Sequence, residues 1–156
     1  MKIKVLNIGK TKAPYLIAGE EEYKKRLTHY ISCDWVVLPD VSAKGMSKEL
    51  IKEKEAQLFF KHIKTEDYVW LLDEKGKMFT STEWSQQIQK LMNAGTRTCV
   101  LIIGGAFGFH ESVYQRANAK LSFSAMTFSH EMIRMFLLEQ LYRSFTILKG
   151  ESYHHD

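Results

Sequence analysis

The sequence predicts one α/β domain built around a mostly parallel sheet of five to six strands. Short runs rich in β-branched and aromatic residues alternate with longer stretches of helical periodicity, and this alternation is typical of parallel strands joined by crossover helices. The chain has 156 residues, 45% of them hydrophobic, which is enough to bury one core without disulfides or structural metals. We therefore expect a single domain over residues 1–156.

Five segments have the pattern of strands, and five have that of helices. The predicted strands cover residues 2–8, 34–38, 68–72, 98–103 and a shorter run at 121–123. The predicted helices cover residues 15–30, 47–63, 82–93, 111–119 and 130–148. Thr80 and Glu83 form a capping box before the third helix, Gly95 follows that helix, and Gly150 follows the fifth.

The last predicted helix is apolar on more than one face, from Met132 through Leu148. Such a helix must be buried on more than one side. In a chain of this length the second side indicates a partner subunit and a symmetric homodimer. A central helix inside a monomer would explain the same pattern.

The charge of the chain permits a polyanionic partner without requiring one. The formal net charge is +4, and Lys2, Lys4, Lys10 and Lys12 crowd the first strand region. A solvated basic face gives the same pattern. We expect a cytoplasmic protein without a membrane span, because the N-terminal apolar run is too short for a signal peptide and no segment reaches the length of a spanning helix.

Neither metal nor disulfide chemistry is predicted. Cys33 and Cys99 lie far apart in the chain, and no Cys or His residues have the spacing of a zinc site. Both cysteines are expected to be small buried apolar side chains.

Three loops that follow predicted strands are candidates for a ligand site. In open α/β sheets, ligands bind outside the carboxyl ends of the strands. The candidate loops are Asp73-Glu74-Lys75-Gly76, Gly104-Gly105-Ala106-Phe107-Gly108 and the segment 121–130. The glycine loop is neither a dinucleotide fingerprint nor a P-loop, and taken alone it could be a tight turn. Apolar walls with a few backbone donors and acceptors suit an adenosine and a thioether.

Charged and aromatic residues near the C-terminus are candidates for catalysis and binding. His130 and Arg134 are spaced i, i+4 and should project from one helix face beside the third loop. Arg143 falls close to the opposite face at about 100° per residue. It can serve a pocket completed by a partner subunit, or it can form a surface salt bridge. Tyr153 and His154 can stack on a base or contact a phosphate.

Four motifs, specific only in combination, run from the glycine loop to the tail. They are Gly104-Gly105-x-x-Gly108, then Leu121-Ser122-Phe123-Ser124-x-Met126-Thr127-Phe128 followed by His130, then Glu139-Gln140-x-Tyr142-Arg143, and Gly150-Glu151-x-Tyr153-His154. With the chain length, they resemble the RlmH-type branch of the SPOUT methyltransferases over essentially the whole chain. One position departs from that family, because the residue before His130 is commonly proline there and is Ser129 here. Serine suits a helix N-cap, so the change is structurally tolerable.

The resemblance implies a C-terminal trefoil knot, an obligate homodimer and a site for S-adenosyl-L-methionine. It implies that the methyl donor is bound by Leu72, Gly104, Gly105, Phe123, Ser124, Ala125, Met126, Thr127 and Phe128. The implied substrate is a pseudouridine of large-subunit ribosomal RNA in the assembled ribosome, methylated at N3.

Methylation of an imide nitrogen requires loss of its proton before or during attack on the methyl group. A general base or a group that stabilises the resulting anion is therefore needed. His130 is the candidate base and Arg134 the candidate stabiliser, although structural roles for both stay open. The candidate RNA-binding residues are Tyr142, Arg143, Tyr153 and His154.

Two other classes of protein are compatible with the residues themselves. A catalytically silent RNA-binding dimer would keep the basic surface and bind no methyl donor. A small α/β enzyme for another nucleotide-like cofactor would use the same loops and ignore ribosomes.

Overall fold

The structure is a computed structural model that describes residues 1–154, in which five strands alternate with five helices. In chain order the elements are β1 (Lys2–Ile8), α1 (Pro14–Leu27), β2 (Cys33–Leu38), α2 (Lys48–Phe60), β3 (Tyr68–Met78), α3 (Ser81–Asn93), β4 (Thr98–Ile103), α4 (Glu111–Arg116), β5 (Ala119–Ser122) and α5 (Met132–Leu148). Each predicted strand and helix has a counterpart among these elements.

Every strand pairing in the sheet is parallel, and the strand order is β2-β1-β4-β3-β5. Leu72 of β3 pairs with Ile103 on one side and with Leu121 on the other. Because the strands are parallel, their carboxyl ends meet at one edge of the sheet, where the connecting loops emerge. The prediction of an α/β fold with a mostly parallel sheet of five or six strands is confirmed.

Two apolar layers cover the two faces of the sheet. One contains Val5 of β1 together with Leu138 of α5. The other contains Ile102 of β4 with Phe59 of α2 and Val113 of α4. Since β1 and β4 are covered on both faces, their sequences are nearly continuous apolar runs rather than alternating ones.

Helix α3 has the predicted boundary signals. The Thr80 hydroxyl accepts a hydrogen bond from the backbone N–H of Glu83 (3.1 Å), and the Glu83 carboxylate accepts one from the backbone N–H of Thr80 (2.8 Å). Gly95 follows the helix with a φ of 75°, and Gly150 follows α5 with a φ of 67°. Both glycines adopt the left-handed conformation that ends helices.

The predicted boundary between the fourth helix and the fifth strand is wrong. The sequence predicts the helix over residues 111–119 and the strand over 121–123. Helix α4 ends at Arg116 because Ala117 is extended, with φ −67° and ψ 139°. The Asn118 N–H then donates to the Val69 carbonyl (2.8 Å), so the chain joins β3 earlier than expected. Strand β5 begins at Ala119 as a result, and Phe123 lies in the loop that follows.

Strand β3 runs six residues beyond its predicted end, to Met78. Its pairing with β5 shifts register between Leu72 and Lys77, so residues 73–76 bulge from the ladder at the carboxyl edge. Gly76 lies in this bulge directly against β5. A Cβ at Gly76 would lie 2.5 Å from the carbonyl carbon of Leu121 and 2.8 Å from the nitrogen of Ser122. The two backbones approach so closely that only glycine fits.

Helix α5 begins at Met132, two residues later than predicted, because His130 and Glu131 form a turn. Ser129 caps this turn: its hydroxyl accepts from the Met132 N–H (3.2 Å), and its carbonyl accepts from the Ile133 N–H (3.0 Å). Serine therefore acts here as the sequence indicates, as a helix-capping residue.

Helix α5 carries apolar side chains that the rest of its own chain covers only in part. The helix packs against α1 and α3 and buries Leu137, Leu138, Leu141 and Phe145. Its other large apolar side chains stay partly exposed: Met132, Ile133, Met135, Phe136, Tyr142, Ile147 and Leu148. Neither α5 nor any other helix in the described part of the chain is long and apolar enough to cross a membrane.

Candidate functional site

A cleft of about 920 Å³ lies at the carboxyl edge of the sheet. Its walls are the bulge of β3, the loops after β4 and β5, and the start of α2, and the three strands are neighbours in the sheet. The structure thus brings together the three segments that the sequence singles out, in the place where α/β sheets bind ligands. The first of them, residues 73–76, is a bulge within β3 and not the loop that was predicted.

Eight of the nine residues implied to bind the methyl donor line the cleft. They are Leu72, Gly104, Gly105, Phe123, Ser124, Met126, Thr127 and Phe128. The ninth, Ala125, is exposed and lies between two lining residues without joining the lining.

Short-range hydrogen bonds shape the loop after β5. The Ser122 hydroxyl donates to the Ser124 carbonyl (2.9 Å), and the Ser124 hydroxyl accepts from the Met126 N–H (2.9 Å). Phe123 packs edge-on against the buried Trp84, with ring centroids 5.7 Å apart. The same loop leaves Met126 76% exposed, so it presents apolar surface beside a fixed backbone.

The loop after β4 lines the cleft with backbone atoms, because three of its residues are glycines. A Cβ at Gly104 would lie 3.0 Å from the ring of Phe109, and Gly108 has a φ of +74°. Glycine is needed at the first position for space and at the second for conformation. The loop can therefore offer N–H and C=O groups to a ligand without intervening side chains.

A buried carboxylate supports this loop from behind. Glu55 of α2 accepts a hydrogen bond from the Gly105 N–H at 3.3 Å, and burial raises the pKa of its carboxyl group. Sequence reasoning missed Glu55. The position of Glu55 in the helix could have revealed it. Ile51, Glu55 and Phe59 form one buried stripe of α2, in which a carboxylate is unusual.

The bulge of β3 is held by a hydrogen bond between two cleft residues. The Tyr114 hydroxyl donates to the Asp73 carboxylate at 2.5 Å. Burial and this bond raise the pKa of Tyr114 to about 12, because both favour the neutral phenol. Asp73 also accepts from the Lys75 N–H (2.8 Å), which fixes the start of the bulge.

The start of α2 forms a charged rim that the sequence did not point to. Lys52 pairs with Glu49 at 2.6 Å, and His110 lies 3.6 Å from the same carboxylate. The Lys52 hydrogen bond holds the pKa of Glu49 below its usual range. Lys48 lies 5.5 Å from the ring of Phe107 in the glycine loop. No motif marks these residues, because only the fold brings α2 to the cleft.

The prediction that His130 and Arg134 project together beside the third loop is wrong for Arg134. His130 is exposed and lines the cleft. Arg134 is 1% exposed and does not line the cleft, because its guanidinium group is hydrogen-bonded to the end of β1. The i, i+4 relation fails because His130 lies in the turn before the helix.

The four candidate RNA-binding residues form one cluster at the far end of α5. Arg143 pairs with Glu139 (2.7 Å), lies 4.8 Å from the ring of Tyr153, and is 3.3 Å from His154 Nδ1. Tyr142 packs edge-on against Tyr153 at 4.7 Å. The cleft lining contains no member of this cluster. Within one chain, Arg143 therefore forms the salt bridge that was one of its two predicted roles.

The site has no grouping of side chains suited to a metal ion: within residues 1–154, no three His, Cys, Asp or Glu residues are arranged to hold one. Among the described residues, Cys33 and Cys99 are both unpaired, and burial raises the pKa of each thiol to about 12. The cleft combines apolar walls and exposed backbone with a mixed set of charges, three lysines and three carboxylates: Lys48, Lys52, Lys75, Glu49, Asp73 and Glu74. Apolar walls with a few polar groups suit a nucleoside.

The fold and the site define a methyltransferase of the SPOUT type. Residues 1–154 match the family described as "Predicted SPOUT methyltransferase", and the chain belongs to that family. A probable methylase family protein from Haemophilus influenzae Rd KW20 has a similar fold, with a TM-score of 0.56 at 11% identity over 99% of this chain and 70% of that one.

Relatives with closely similar sequences have a more particular name. The chain is 47% identical to the ribosomal RNA large subunit methyltransferase H of Cytophaga hutchinsonii, over 99% of this chain and 100% of the relative. It is 48% identical to the protein of the same name from Parabacteroides distasonis, over the full length of both. The resemblance drawn from the four motifs is confirmed.

Proposed function

We propose that this protein is an S-adenosyl-L-methionine-dependent methyltransferase that methylates N3 of a pseudouridine in 23S ribosomal RNA of the large subunit. The observation that carries the proposal is the cleft, where eight residues implied to bind the donor converge in a chain whose full-length relatives are named for this class of reaction.

The cleft suits the proposed donor in shape and chemistry. S-adenosyl-L-methionine supplies an activated methyl group on a sulfonium and needs an apolar pocket with backbone hydrogen bonds rather than a phosphate clamp. Gly104 offers backbone groups, and Gly105 lets the ligand approach the loop closely because it has no side chain. Phe123, Met126 and Phe128 offer apolar surface. Transfer of the methyl group then depends mainly on alignment with the nucleophile.

His130 is the proposed general base. It is exposed at the cleft, next to the loop that ends at Phe128, so a nucleotide entering from solvent can reach its ring. The N3 proton of the pseudouridine would pass to a ring nitrogen as the N3–methyl bond forms. Arg134 is buried away from the cleft lining, and we propose that it orients α5 and the preceding turn instead of stabilising the substrate anion.

The RNA-binding cluster is proposed to act across a homodimer. Tyr142, Arg143, Tyr153 and His154 lie together but do not line the cleft of their own chain. The partly exposed apolar side chains of α5 offer a surface for a second copy. In this arrangement the cluster of one protomer would complete the cleft of its partner.

The remaining expectations are proposals about the fold and the setting. The trefoil knot is proposed on the ground of family membership, because the resemblance implies a knot in the C-terminal part of the chain. We also propose that residues 1–156 form one methyltransferase domain that acts in the cytoplasm, where assembled ribosomes are available.

Transfer of a labelled methyl group tests the proposal. Ribosomes that lack the modification should accept label from S-adenosyl-L-methionine, and naked ribosomal RNA should accept much less, because a net charge of +4 gives weak affinity for free RNA. Donor binding without transfer to either substrate would contradict the proposed substrate. Neither binding nor transfer would favour the catalytically silent RNA-binding dimer.

A further inference from the structure

A buried carboxylate lies directly behind the glycine loop and has no cationic partner. Glu55 is 4% exposed, and its one side-chain hydrogen bond within residues 1–154 comes from the Gly105 N–H at 3.3 Å. Its helix neighbours Ile51, Ala56 and Phe59 are buried apolar residues. An ionised carboxylate with a single hydrogen bond in such a layer is poorly compensated.

The carboxylate occupies the space in which a side chain at position 105 would lie. A Cβ on Gly105 would be 2.2 Å from Oε1 and 2.9 Å from Cδ of Glu55. The carboxylate thus touches the backbone of a residue that lines the cleft. It also uses the Gly105 N–H, which this loop therefore does not offer to a phosphate.

Within residues 1–154 Glu55 forms no salt bridge, and the charge that acts on its carboxyl group is the carboxylate of Asp40. Burial is the main cause that raises the pKa of Glu55, the hydrogen bond from Gly105 lowers it, and Asp40 raises it again. Lys52, one helical turn before Glu55, pairs instead with Glu49 at 2.6 Å. A buried carboxylate kept without a salt bridge beside a cleft marks a candidate functional position.

We propose that the Glu55 carboxylate, held against the backbone of Gly105, biases the cleft toward a cationic ligand and so distinguishes the methyl donor from the demethylated product. This inference rests on the proposed function, because it takes S-adenosyl-L-methionine as the donor. In the transfer, the sulfur–methyl bond breaks, its electron pair stays on sulfur, and the sulfonium becomes a neutral thioether. Loss of that positive charge removes the attraction to Glu55 and favours release of the product.

Glu55 is a positioning residue in this account, since it lies behind the loop and does not line the cleft. Glu55→Gln is the sharpest variant, because the amide oxygen still accepts from Gly105 while the charge is gone. Glu53→Gln is the matched control, since Glu53 is exposed on the same helix. Isothermal calorimetry with S-adenosyl-L-methionine and with S-adenosylhomocysteine gives the ratio of the two affinities for each protein.

We expect Glu55→Gln to shift the ratio of donor to product affinity about fivefold toward the product, because only the donor carries the positive charge that the carboxylate attracts. Glu53→Gln should leave the ratio unchanged. An equal loss of affinity for both ligands, or no change, would overturn the inference, because a carboxylate that only shapes the loop cannot tell the two ligands apart.

A second variant keeps the test decisive if Glu55→Gln does not fold. Glu55→Asp keeps the charge but withdraws it from Gly105 by one methylene, so both affinities should fall while their ratio stays within about twofold of wild type. If the ratio of donor to product affinity in Glu55→Asp shifts as far as is expected for Glu55→Gln, the charge of Glu55 is not what distinguishes the two ligands. If the wild-type protein binds neither ligand, the proposed function itself fails, and that result is distinct from failure of the inference.

Discussion

Arg134 Nη2 donates a hydrogen bond to the backbone carbonyl of Ile8 at 2.6 Å, and this bond ties α5 to the carboxyl end of β1. Arg134 Nη1 donates to the Thr11 hydroxyl (3.0 Å), which in turn donates to the Glu20 carboxylate (2.5 Å). The network lies in the interior beneath the turn that carries His130. The arginine that the sequence assigns to chemistry is therefore a structural link between three elements.

Replacing Arg134 should destabilise the fold. Arg134→Ala leaves the Ile8 carbonyl and the Thr11 hydroxyl without their donor and opens space in the interior, and we expect the free energy of unfolding to fall by about 3 kcal/mol. Arg134→Lys should recover only part of this loss, because an ammonium cannot make the same forked contacts. Urea denaturation measures both variants, with the exposed Arg97→Ala as control. Full stability together with lost turnover would restore Arg134 as a candidate anion stabiliser.

Replacing His130 should affect turnover far more than donor binding. We expect His130→Ala to lower the rate of methyl transfer by about a hundredfold or more, the usual contribution of a general base. Affinity for the donor should change little, because the loops that hold it remain. Single-turnover transfer and calorimetry measure the two effects separately. A variant that transfers methyl groups at the wild-type rate would remove His130 from the mechanism.

A mixture of two inactive variants should regain activity if the tail cluster serves the partner's cleft. Arg143→Ala and His130→Ala, unfolded and refolded together, form hybrid dimers in which one of the two clefts has both residues. Random pairing makes about half of the dimers hybrid, so about a quarter of wild-type activity is expected. Each variant refolded alone is the control. No regain of activity would indicate that Arg143 acts within its own chain.

Gly76 should not accept even the smallest side chain. The added Cβ of Gly76→Ala would lie 2.5 Å from the backbone of Leu121, and a strand backbone cannot move away as a flexible side chain can. We expect a loss of about 3 kcal/mol or more in the free energy of unfolding, with weaker donor binding. Gly19→Ala is the control, since its Cβ would meet only the flexible end of Met135. Equal stability of the two variants would contradict the close approach of Gly76 to the backbone of β5.

Tyr114 should titrate well above an ordinary tyrosine. Burial and the hydrogen bond to Asp73 raise its pKa from 10.0 to about 12, so the neutral phenol stabilises the fold fully below about pH 10, and that contribution is lost as the pH rises through about 12. The difference in phenolate absorbance between wild type and Tyr114→Phe isolates this group. If this difference shows Tyr114 ionising near pH 10, the bond to Asp73 does not form in solution.

The sequence predicted the architecture well because strand composition and helix caps are local properties. Thr80 with Glu83, and the glycines after α3 and α5, mark boundaries through contacts a few residues apart. The junction at Ala117 and the bulge ending at Gly76 were missed because pairing with β3, which is distant in sequence, decides them. Most of the cleft follows from loops at the ends of strands. Glu55 and the α2 rim could not be found without the packing of α2 over the glycine loop.

The nature of the methylated nucleoside tests the central claim most directly. Ribosomes that lack the modification are incubated with the protein and S-adenosyl-L-methionine carrying an isotopic label in its methyl group, and the 23S RNA is then digested to nucleosides for mass spectrometry. We predict one labelled product, pseudouridine methylated at N3, formed by the wild-type protein and nearly absent with His130→Ala. Label in a different nucleoside, or none in 23S RNA from a protein that binds the donor, would contradict the account.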